Sequence, residues 1–384
     1  MAPVRILHCH STFSLGGKEA RAVRLMNAWG DAAEHTILSG MPGKLAARDA
    51  IDRAVRADFP EDAPPLAGRT TPFRLRRLAR YMRGFDLVLT YNWGAFDAVM
   101  ARRLFAGGLK LPPLVHHEDG FNEDEAERLN PKRGLYRRLG LPAAYRLVVP
   151  SSRLETIALR EWKQPPGRVE RIANGIPVAR YRSGDRPELP GLIRRDGEIV
   201  IGTVAGLRAV KNLPRLVRAF AAMAEKNARL VIVGEGPESE RIAAEARRLG
   251  VAPRLHMPGF LADPARWIAA FDIFALSSDS EQFPISMIEA MAAGLPVVAT
   301  DVGDIQAMLP DDNRPLVVAR EDEAAFAAAL DSLAARPDLR RAIGRANLGK
   351  AAAEYDEEKM IARYAALYGA AIGRADAFRE AAAT

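Results

Sequence analysis

The chain has 384 residues, of which 48% are hydrophobic and 27% are charged, as in ordinary globular proteins. This length is too great for one hydrophobic core, so we expect two domains. The single cysteine, Cys9, excludes an internal disulfide, and six histidines without ligand spacing predict no structural zinc site. The N-terminus lacks the apolar core of a signal peptide, and no apolar run approaches the roughly 20 residues of a transmembrane helix. We therefore expect a cytoplasmic protein.

The formal net charge is +7, and its arginines concentrate in two segments of the first half. Both segments interleave cations with apolar residues, a pattern typical of basic amphipathic surfaces that lie on anionic lipid. Solvated helix faces explain the pattern equally well. A nucleic-acid-binding protein is a remote alternative, because no reading module is recognisable. The cations are Arg69, Arg74, Arg76, Arg77, Arg80 and Arg83 in the segment Arg69–Arg83, and Arg128, Lys132, Arg133, Arg137, Arg138 and Arg146 in the segment Arg128–Arg146.

The first half reads as alternating strands and helices. A strand at Val4–His8 is followed by Gly16 and Gly17, which open a helix, as at the start of a doubly wound unit. A plain turn explains the two glycines as well as a ligand loop does, and no G-x-G-x-x-G fingerprint supports nicotinamide binding. Further strands are predicted at Glu34–Leu38, Phe85–Tyr91, Leu114–Val115, Arg146–Val149 and Arg168–Ile172.

A polar run, His116 to Gly120, follows the predicted strand Leu114–Val115. Ligands of open parallel sheets bind beyond the carboxyl ends of the strands. His116 and His117 are therefore candidates for binding or proton transfer, and a surface loop with incidental histidines is the alternative.

An irregular polar segment, 174–198, predicts an interdomain linker between domains at 1–173 and 199–356. The second domain again alternates strands and helices, which predicts another parallel-sheet α/β domain. Its predicted strands are Ile199–Ala205, Arg229–Val233, Arg254–Met257, Asp272–Ala275, Pro296–Ala299 and Leu316–Val318, and its predicted helices are Leu213–Glu225, Glu238–Leu249, Pro264–Ala269 and Ile285–Ala293, followed by a helical tail from Glu321.

The stretch Ser277–Thr300 combines a loop, a helix and a buried strand. Glu281 precedes the helix and Glu289 lies within it, so two carboxylates flank a helix N-terminus. Free backbone N–H groups at such a terminus make a site for a phosphate.

With these landmarks the chain resembles the retaining glycosyltransferases of family 4, which have the GT-B fold. The resemblance covers nearly the whole chain and rests on four segments in the same order as in the family. They are RIANGIPVARY (Arg171–Tyr181), LVIVGEGPE (Leu230–Glu238), HMPGF (His256–Phe260) and the Glu281-x7-Glu289 pair. The resemblance implies two Rossmann-like parallel-sheet domains facing across a cleft. The first domain would take the acceptor and the second the nucleotide-sugar donor, and the last helix, within about 357–384, would return to the first domain.

The resemblance also implies roles for individual residues. Glu289 would hold the donor ribose and Glu281 the hydroxyls of the transferred sugar. Lys211 would stabilise the leaving diphosphate, together with Arg208, since the family's usual arginine position is Gly206 here. His116, His117 or Asp119 would provide the acceptor-side group. Phe283, Pro284, Ile285 and Ser286 would face the diphosphate, Gly16 and Gly17 would approach the donor phosphate from the opposite domain, and Gly234 and Phe260 would contribute to the donor site.

We thus expect a metal-independent, retaining hexosyltransferase without a cofactor, since no Asp-x-Asp clamp is evident. Its donor would be a UDP-, GDP- or ADP-linked sugar, and its acceptor a glycan or a lipid-linked molecule. Cell-envelope or extracellular polysaccharide synthesis at the inner face of the plasma membrane would be its setting. A nucleotide-sugar epimerase or hydrolase of the same fold is the alternative. A glycosidase-like carboxylate pair is disfavoured, because the spacing does not itself place both carboxylates around one bond.

Overall fold

The computed structural model describes residues 2–14, 16–120, 125, 129–181 and 187–378. The chain forms two compact units, one of Met1–Asn174 with Glu358–Thr384 and the other of Gly175–Glu357. Within the described residues, no helix combines the length and the apolar character needed to cross a bilayer.

Unit 1 contains a seven-stranded parallel sheet in the order β3-β2-β1-β4-β5-β6-β7. Its strands are β1 Val4–His10, β2 Ala33–Ser39, β3 Arg56–Asp58, β4 Leu87–Tyr91, β5 Leu114–His117, β6 Arg146–Val149 and β7 Val169–Arg171. Its helices in the first half of the chain are α1 Gly17–Trp29, α2 Pro72–Met82, α3 Phe96–Phe105, α4 Pro131–Gly140 and α5 Ser152–Arg160. Helices cover both faces of the sheet, so an inner strand such as β4 is buried along its whole length.

Unit 2 contains a six-stranded parallel sheet in the order β10-β9-β8-β11-β12-β13. Its strands are β8 Ile199–Val204, β9 Ala228–Val233, β10 Leu255–Gly259, β11 Ile273–Leu276, β12 Val297–Thr300 and β13 Val317–Val318. Its helices are α6 Leu213–Ala222, α7 Ser239–Arg248, α8 Ile285–Ala292, α9 Ile305–Met308, α10 Glu323–Ala334 and α11 Pro337–Glu354. The two-domain parallel α/β architecture predicted from the sequence is confirmed.

The last helix, α12 Glu357–Ala371, packs into the core of unit 1. Its inward residues Met360, Tyr364 and Tyr368 are buried against that core. Cys9 is also buried in unit 1, and burial raises the pKa of its thiol to about 12, which makes it a poor nucleophile.

Two predicted elements differ in the structure. The predicted helix Pro264–Ala269 is instead a pair of 3₁₀ turns, because Trp267, between them, has φ −142°, which no helix accommodates. The described part of the segment predicted as a linker lies in unit 2 from Gly175 onward, where Ile176 N donates to Tyr355 O (2.9 Å) and Val178 is buried. Residues 182–186 of that segment lie outside the described part.

Candidate active site

The strand order of unit 2 reverses between β8 and β11. In open parallel sheets, ligands bind where the order reverses, beyond the carboxyl ends of the two strands. The loop after β8 carries Arg208 and Lys211, and the loop after β11 carries Ser278 and Glu281. Topology therefore brings together residues about 70 positions apart in the chain, such as Lys211 and Glu281 (|i−j| = 70).

An ion pair joins these two loops. Lys211 Nζ donates to Glu281 Oε1 (2.6 Å), and Ser278 Oγ donates to the same oxygen (2.6 Å). Glu281 is buried and Lys211 is half-buried. The pair fixes a cation and a carboxylate side by side at the reversal point, with the other carboxylate oxygen left to other partners.

Further hydrogen bonds hold the two loops at a fixed separation. Asn212 Nδ2 donates to both oxygens of Asp279 (3.2 and 3.0 Å), and Ser277 Oγ donates to Lys211 O (3.1 Å). Asn212 adopts the left-handed conformation (φ 42°) and caps α6. The left-handed turn at Asn212 places Lys211 next to the loop that follows β11.

Helix α8 begins directly after that loop. Pro284 precedes its first turn, and the backbone N–H groups of Phe283, Ile285 and Ser286 have no acceptor among the residues that the structure describes. A helix N-terminus with unsatisfied N–H groups attracts an anion. Met287 and the next apolar positions of α8 are buried, whereas Ile285 and Ser286 are only half-buried.

Glu289 lies one turn farther along the same half-buried side of α8. Tyr181 Oη donates to Glu289 Oε1 (3.0 Å), and the Tyr181 side chain is buried. The tyrosine therefore holds one carboxylate oxygen at a defined position on the helix.

Arg208 is exposed, and its guanidinium forms no ion pair with any residue in the described part of the chain. Its side chain folds back over Gly206, because a Cβ placed on that glycine would lie 3.6 Å from Arg208 Nε. The guanidinium thus occupies space next to position 206, in the loop that also carries Lys211.

The glycines at the end of β9 allow the neighbouring loop to approach closely. Gly234 has φ +141°, and a Cβ there would lie 1.9 Å from Ala205 O. Its N–H donates to Gly259 O (2.9 Å), which draws the end of β10 alongside. Phe260 follows, 63% exposed, and its N–H contacts Glu235 Oε1 (3.4 Å). An exposed aromatic ring thus stands at the same sheet edge as the ion pair.

Unit 1 reverses its strand order between β1 and β4, and a cavity of about 390 Å³ lies at that edge. Ser11, Lys18, Trp93 and Glu125 are among its lining residues. Gly16 and Gly17 stand beside it at the start of α1, where Gly16 has extended backbone (φ −163°). A Cβ on Gly16 would approach the carboxylate of Glu19 to 2.8 Å. The space beside Gly16 is therefore limited by the Glu19 side chain and not by backbone.

The two candidate histidines are strand residues of β5, and both are fully buried on opposite faces of the sheet. Thr90 Oγ1 contacts His116 Nδ1 (2.8 Å), whose ring packs edge-on against Phe96. His117 Nδ1 donates to Thr90 O (3.1 Å), and its Nε2 accepts from Tyr368 (2.7 Å). Burial and the nearby Arg21 lower the pKa of His117 to about 3, which keeps the ring neutral.

Asp119, the third acceptor-side candidate, is held by a buried guanidinium. Arg21 Nη2 donates to Asp119 Oδ2 (2.9 Å), and Arg21 Nη1 donates to Asn174 Oδ1 (2.8 Å). Burial alone would raise the pKa of this carboxyl, but the Arg21 charge brings it below its usual value. Asp119 is therefore ionised and already paired.

Two family models match the chain. The model described as Glycosyltransferase Family 4 matches residues 5–180, and the model described as Glycosyl transferases group 1 matches residues 198–336. This protein belongs to the group 1 glycosyltransferases of family 4. Its two Rossmann-like parallel-sheet units constitute the GT-B fold of that family.

Individual relatives of this chain agree with the assignment to the family. A D-inositol 3-phosphate glycosyltransferase from Segniliparus rotundus is 32% identical over 229 residues, which are 56% of this chain and 51% of the relative. That match thus spans about half of the relative's length. A protein of the same name from Frankia alni is 29% identical over 317 residues, 76% of each chain. The crystal structure of HepE from Anabaena, in complex with UDP, superposes with a TM-score of 0.75 at 18% identity, covering 95% of this chain and 100% of HepE.

The structure also reveals contacts in this chain that the sequence did not predict. Ser278 and Tyr181 each bind one of the two glutamates, and Asn212 pairs with Asp279 between the loops. Tyr181 ends the segment RIANGIPVARY, whose presence could have drawn attention to it, whereas Ser278 carries no sequence signal. No group of three or more His, Cys, Asp or Glu side chains within the described ranges is placed to hold a metal ion.

Proposed function

We propose that this protein is a retaining glycosyltransferase of the hexosyltransferase type that transfers a sugar from a nucleotide sugar to a glycan or lipid-linked acceptor. One observation carries the proposal: the Lys211–Glu281 pair and the unsatisfied N–H groups at the start of α8 both lie at the reversal point of the unit 2 sheet. Cation, helix terminus and carboxylate together suit a diphosphate with a sugar on one side and a ribose on the other.

The chemistry requires positive charge beside the leaving group. Glycosyl transfer passes through an oxocarbenium-like state while negative charge grows on the departing diphosphate, and preorganised cations stabilise that charge. Lys211 would supply one cation. Arg208 would supply the second in place of an arginine at position 206, because its side chain already lies over Gly206. With two cations and a helix terminus in that role, the reaction would need neither a metal ion nor a cofactor.

The two glutamates would divide the donor between them. Glu281, bound by Lys211 and Ser278, would accept from hydroxyls of the transferred sugar, and the carboxylate of Glu289, oriented by Tyr181, would bind the ribose hydroxyls. One oxygen of Glu281 already accepts from Lys211 and Ser278, which supports a binding role over that of a covalent nucleophile. The acceptor would then attack from the same face, with the donor phosphate as base.

The donor, acceptor and location follow as finer proposals. Because HepE was crystallised with UDP and with UDP-glucose, a UDP-linked hexose is the first donor to test, ahead of GDP and ADP sugars. A relative named for D-inositol 3-phosphate adds that compound to the glycan and lipid-linked acceptors. Cell-envelope or extracellular polysaccharide synthesis, on the cytoplasmic side of the membrane, is the setting that we propose.

A thermal-shift panel of UDP, GDP and ADP sugars tests donor binding directly, because a ligand at 100 times its Kd stabilises the native state by ~2.7 kcal/mol. We expect one nucleotide class to raise the melting temperature, and the effect to persist in excess EDTA. Transfer assays with that donor should give a product of retained anomeric configuration. Conversion of the donor without any acceptor would instead identify an epimerase or a hydrolase. The absence of a shift with all three classes would contradict the proposal.

A further inference from the structure

Helices α2, α3 and α4 lie side by side on one face of the unit 1 sheet and share one apolar core. Together they contain a single acidic residue, Asp97. It is turned inward, where it accepts from Tyr136 Oη (3.0 Å) and from Thr70 Oγ1 (3.1 Å) and pairs with Arg74. The outward side of these three helices, which we call the α2–α4 face, therefore presents no carboxylate.

Helix α2 contributes a basic stripe. Leu75, Leu78, Ala79 and Met82 are buried under the helix. Phe73, Arg76, Arg77 and Arg80 are exposed on the other side, at the three- and four-residue spacing that places side chains on one face. Phe73 is 79% exposed, so a large aromatic ring stands in solvent at one end of the row of guanidinium groups.

Helix α4 repeats the pattern. Lys132, Leu135, Arg138 and Leu139 are exposed at helical spacing, and the two leucines are 55% and 54% exposed. Three cations that the sequence placed in these surfaces, Arg74, Arg133 and Arg137, instead form ion pairs inside the unit. Arg128 lies outside the described residues. Only some of the cations in these two segments therefore face solvent, and Arg74, Arg133 and Arg137 form ion pairs within unit 1.

Helix α3 fills the space between α2 and α4, and its last turn adds exposed Arg103 and Leu104. Since packed helix axes are about 8–10 Å apart, α2 and α4 lie at most about 16–20 Å from each other across α3. The α2–α4 face is therefore a broad surface of cations interspersed with exposed apolar side chains, rather than a groove.

We propose that the α2–α4 face binds the surface of an anionic lipid bilayer. Guanidinium and ammonium groups are attracted to anionic headgroups, while Phe73, Leu135 and Leu139 can insert at the boundary with the acyl chains. The exposed apolar residues favour lipid over nucleic acid, because a phosphate backbone offers them nothing to bury against. Docking through this face needs no donor or acceptor, so it stands independently of the proposed transfer reaction.

The test is co-sedimentation of the full chain with vesicles of phosphatidylcholine, with or without phosphatidylglycerol. We expect binding only to the anionic vesicles, and weakening as salt screens the charges. Reversing three arginines in R76E/R77E/R80E should lower the partition coefficient by at least about 100-fold, since each surface cation contributes about fivefold. The variant F73S/L135S/L139S should also bind more weakly, and its binding should be lost at lower salt than that of the wild type.

The matched control is R336E/R341E/R345E, which makes the same change in net charge at exposed arginines of unit 2, at the start of α11 and along it. It should bind vesicles as the wild type does. Circular dichroism and thermal melting check that all three variants fold. A wild-type chain that ignores anionic vesicles, or a control that loses as much binding as R76E/R77E/R80E, would overturn the proposal. A third outcome would also overturn it and indicate nucleic-acid binding instead. In that case F73S/L135S/L139S would bind vesicles as the wild type does, and R76E/R77E/R80E would lose binding to an RNA or DNA oligomer.

Discussion

The two units reverse their strand order at equivalent places, after β1 in unit 1 and after β8 in unit 2, yet their polar residues end up in different environments. In unit 2, Lys211 and Glu281 meet in loops at the edge of the sheet. In unit 1, His116 and His117 are part of β5 and are sealed between the helices.

The difference comes from where each residue stands relative to the end of its strand. Glu281 comes five residues after Leu276, the last residue of β11. It therefore lies in the loop beyond the end of the strand, and not between the helices that cover the two faces of the sheet. His117 is itself the last residue of β5 and pairs with Tyr91 of β4. A side chain within a parallel strand is covered on both faces, whereas a side chain in the following loop can reach a ligand.

The open edge of unit 2 gives the largest expected effect. Replacing Lys211 by Ala removes a cation beside the proposed leaving group and leaves Glu281 without its cationic partner, so kcat should fall by about 10²–10³-fold. The measurement is initial-rate kinetics with the donor selected by thermal shift.

The matched control for this change is Lys226→Ala. Lys226 is exposed just before β9, at the opposite end of the same sheet. Its Nζ donates to Met223 O, away from the Lys211–Glu281 pair, so its loss should leave kcat unchanged. If Lys211→Ala retained wild-type kcat, the open edge would not be the reacting centre and the contrast between the units would lose its functional meaning.

The parts of the site that the sequence predicts are those set by local patterns. The α8 helix start and both glutamates follow from one stretch, Ser277–Thr300, because helix spacing and the glycine stop are local signals. Buried strands such as β4 appear as apolar runs. The edge strand β3 (RAD) has no apolar run and is mostly exposed, so nothing in its composition announces it.

What the sequence could not predict are contacts between distant segments. The hydrogen bond from Tyr181 to Glu289 joins residues 108 positions apart, and no periodicity encodes it. The burial of His117 depends on Tyr368 of α12, which is 251 positions away. The sequence identifies Glu289 and His117 as candidate site residues, but the environment of each depends on tertiary packing.

A second prediction concerns the close approach of loops in unit 2. Gly234→Ala places a methyl group in a region of φ that disfavours it and within 1.9 Å of Ala205 O. Strain and overlap should together lower the free energy of unfolding of unit 2 by about 3 kcal/mol or more. Urea unfolding followed by circular dichroism measures the change.

Gly349→Ala is the control for this glycine. It lies inside α11 with no atom within 4 Å of the added Cβ, so alanine should stabilise the same unit slightly, by up to about 1 kcal/mol. Equal stability of Gly234→Ala and wild type would show that the loop at the β9 end is free to move, and that the cation loop beside it is not held in place.

The buried histidines of unit 1 predict a pH dependence. Burial lowers the pKa of His35 to about 4, and His8, which contacts it, is shifted in the same direction. The unfolded chain therefore binds more protons than the native one below the ordinary histidine pKa. Stability is full above about pH 6.5 and falls as pH decreases toward about 4, and His35 alone contributes a loss on the order of a few kcal/mol over this range.

Urea unfolding across this range measures the loss, and Trp29, Trp93 and Trp162 report on unit 1. In His35→Asn, whose amide takes the place of the ring Nδ1, the free energy should depend less steeply on pH. A flat profile for the wild type would mean that water reaches the histidines, and that the strand residues of unit 1 are less sealed than their burial indicates.

The smallest expected effect concerns the orientation of Glu289. Tyr181→Phe removes one hydrogen bond, which typically contributes about 1 kcal/mol, so the donor KM should rise by about fivefold while kcat changes little. Tyr355→Phe is the matched control, because it deletes the same atom from a buried tyrosine of unit 2 that donates to Met308 O (3.2 Å). It should lower the melting temperature without changing KM. If both variants lost stability equally and neither changed KM, Tyr181 would only stabilise the fold, and the open edge would end at the Lys211–Glu281 pair.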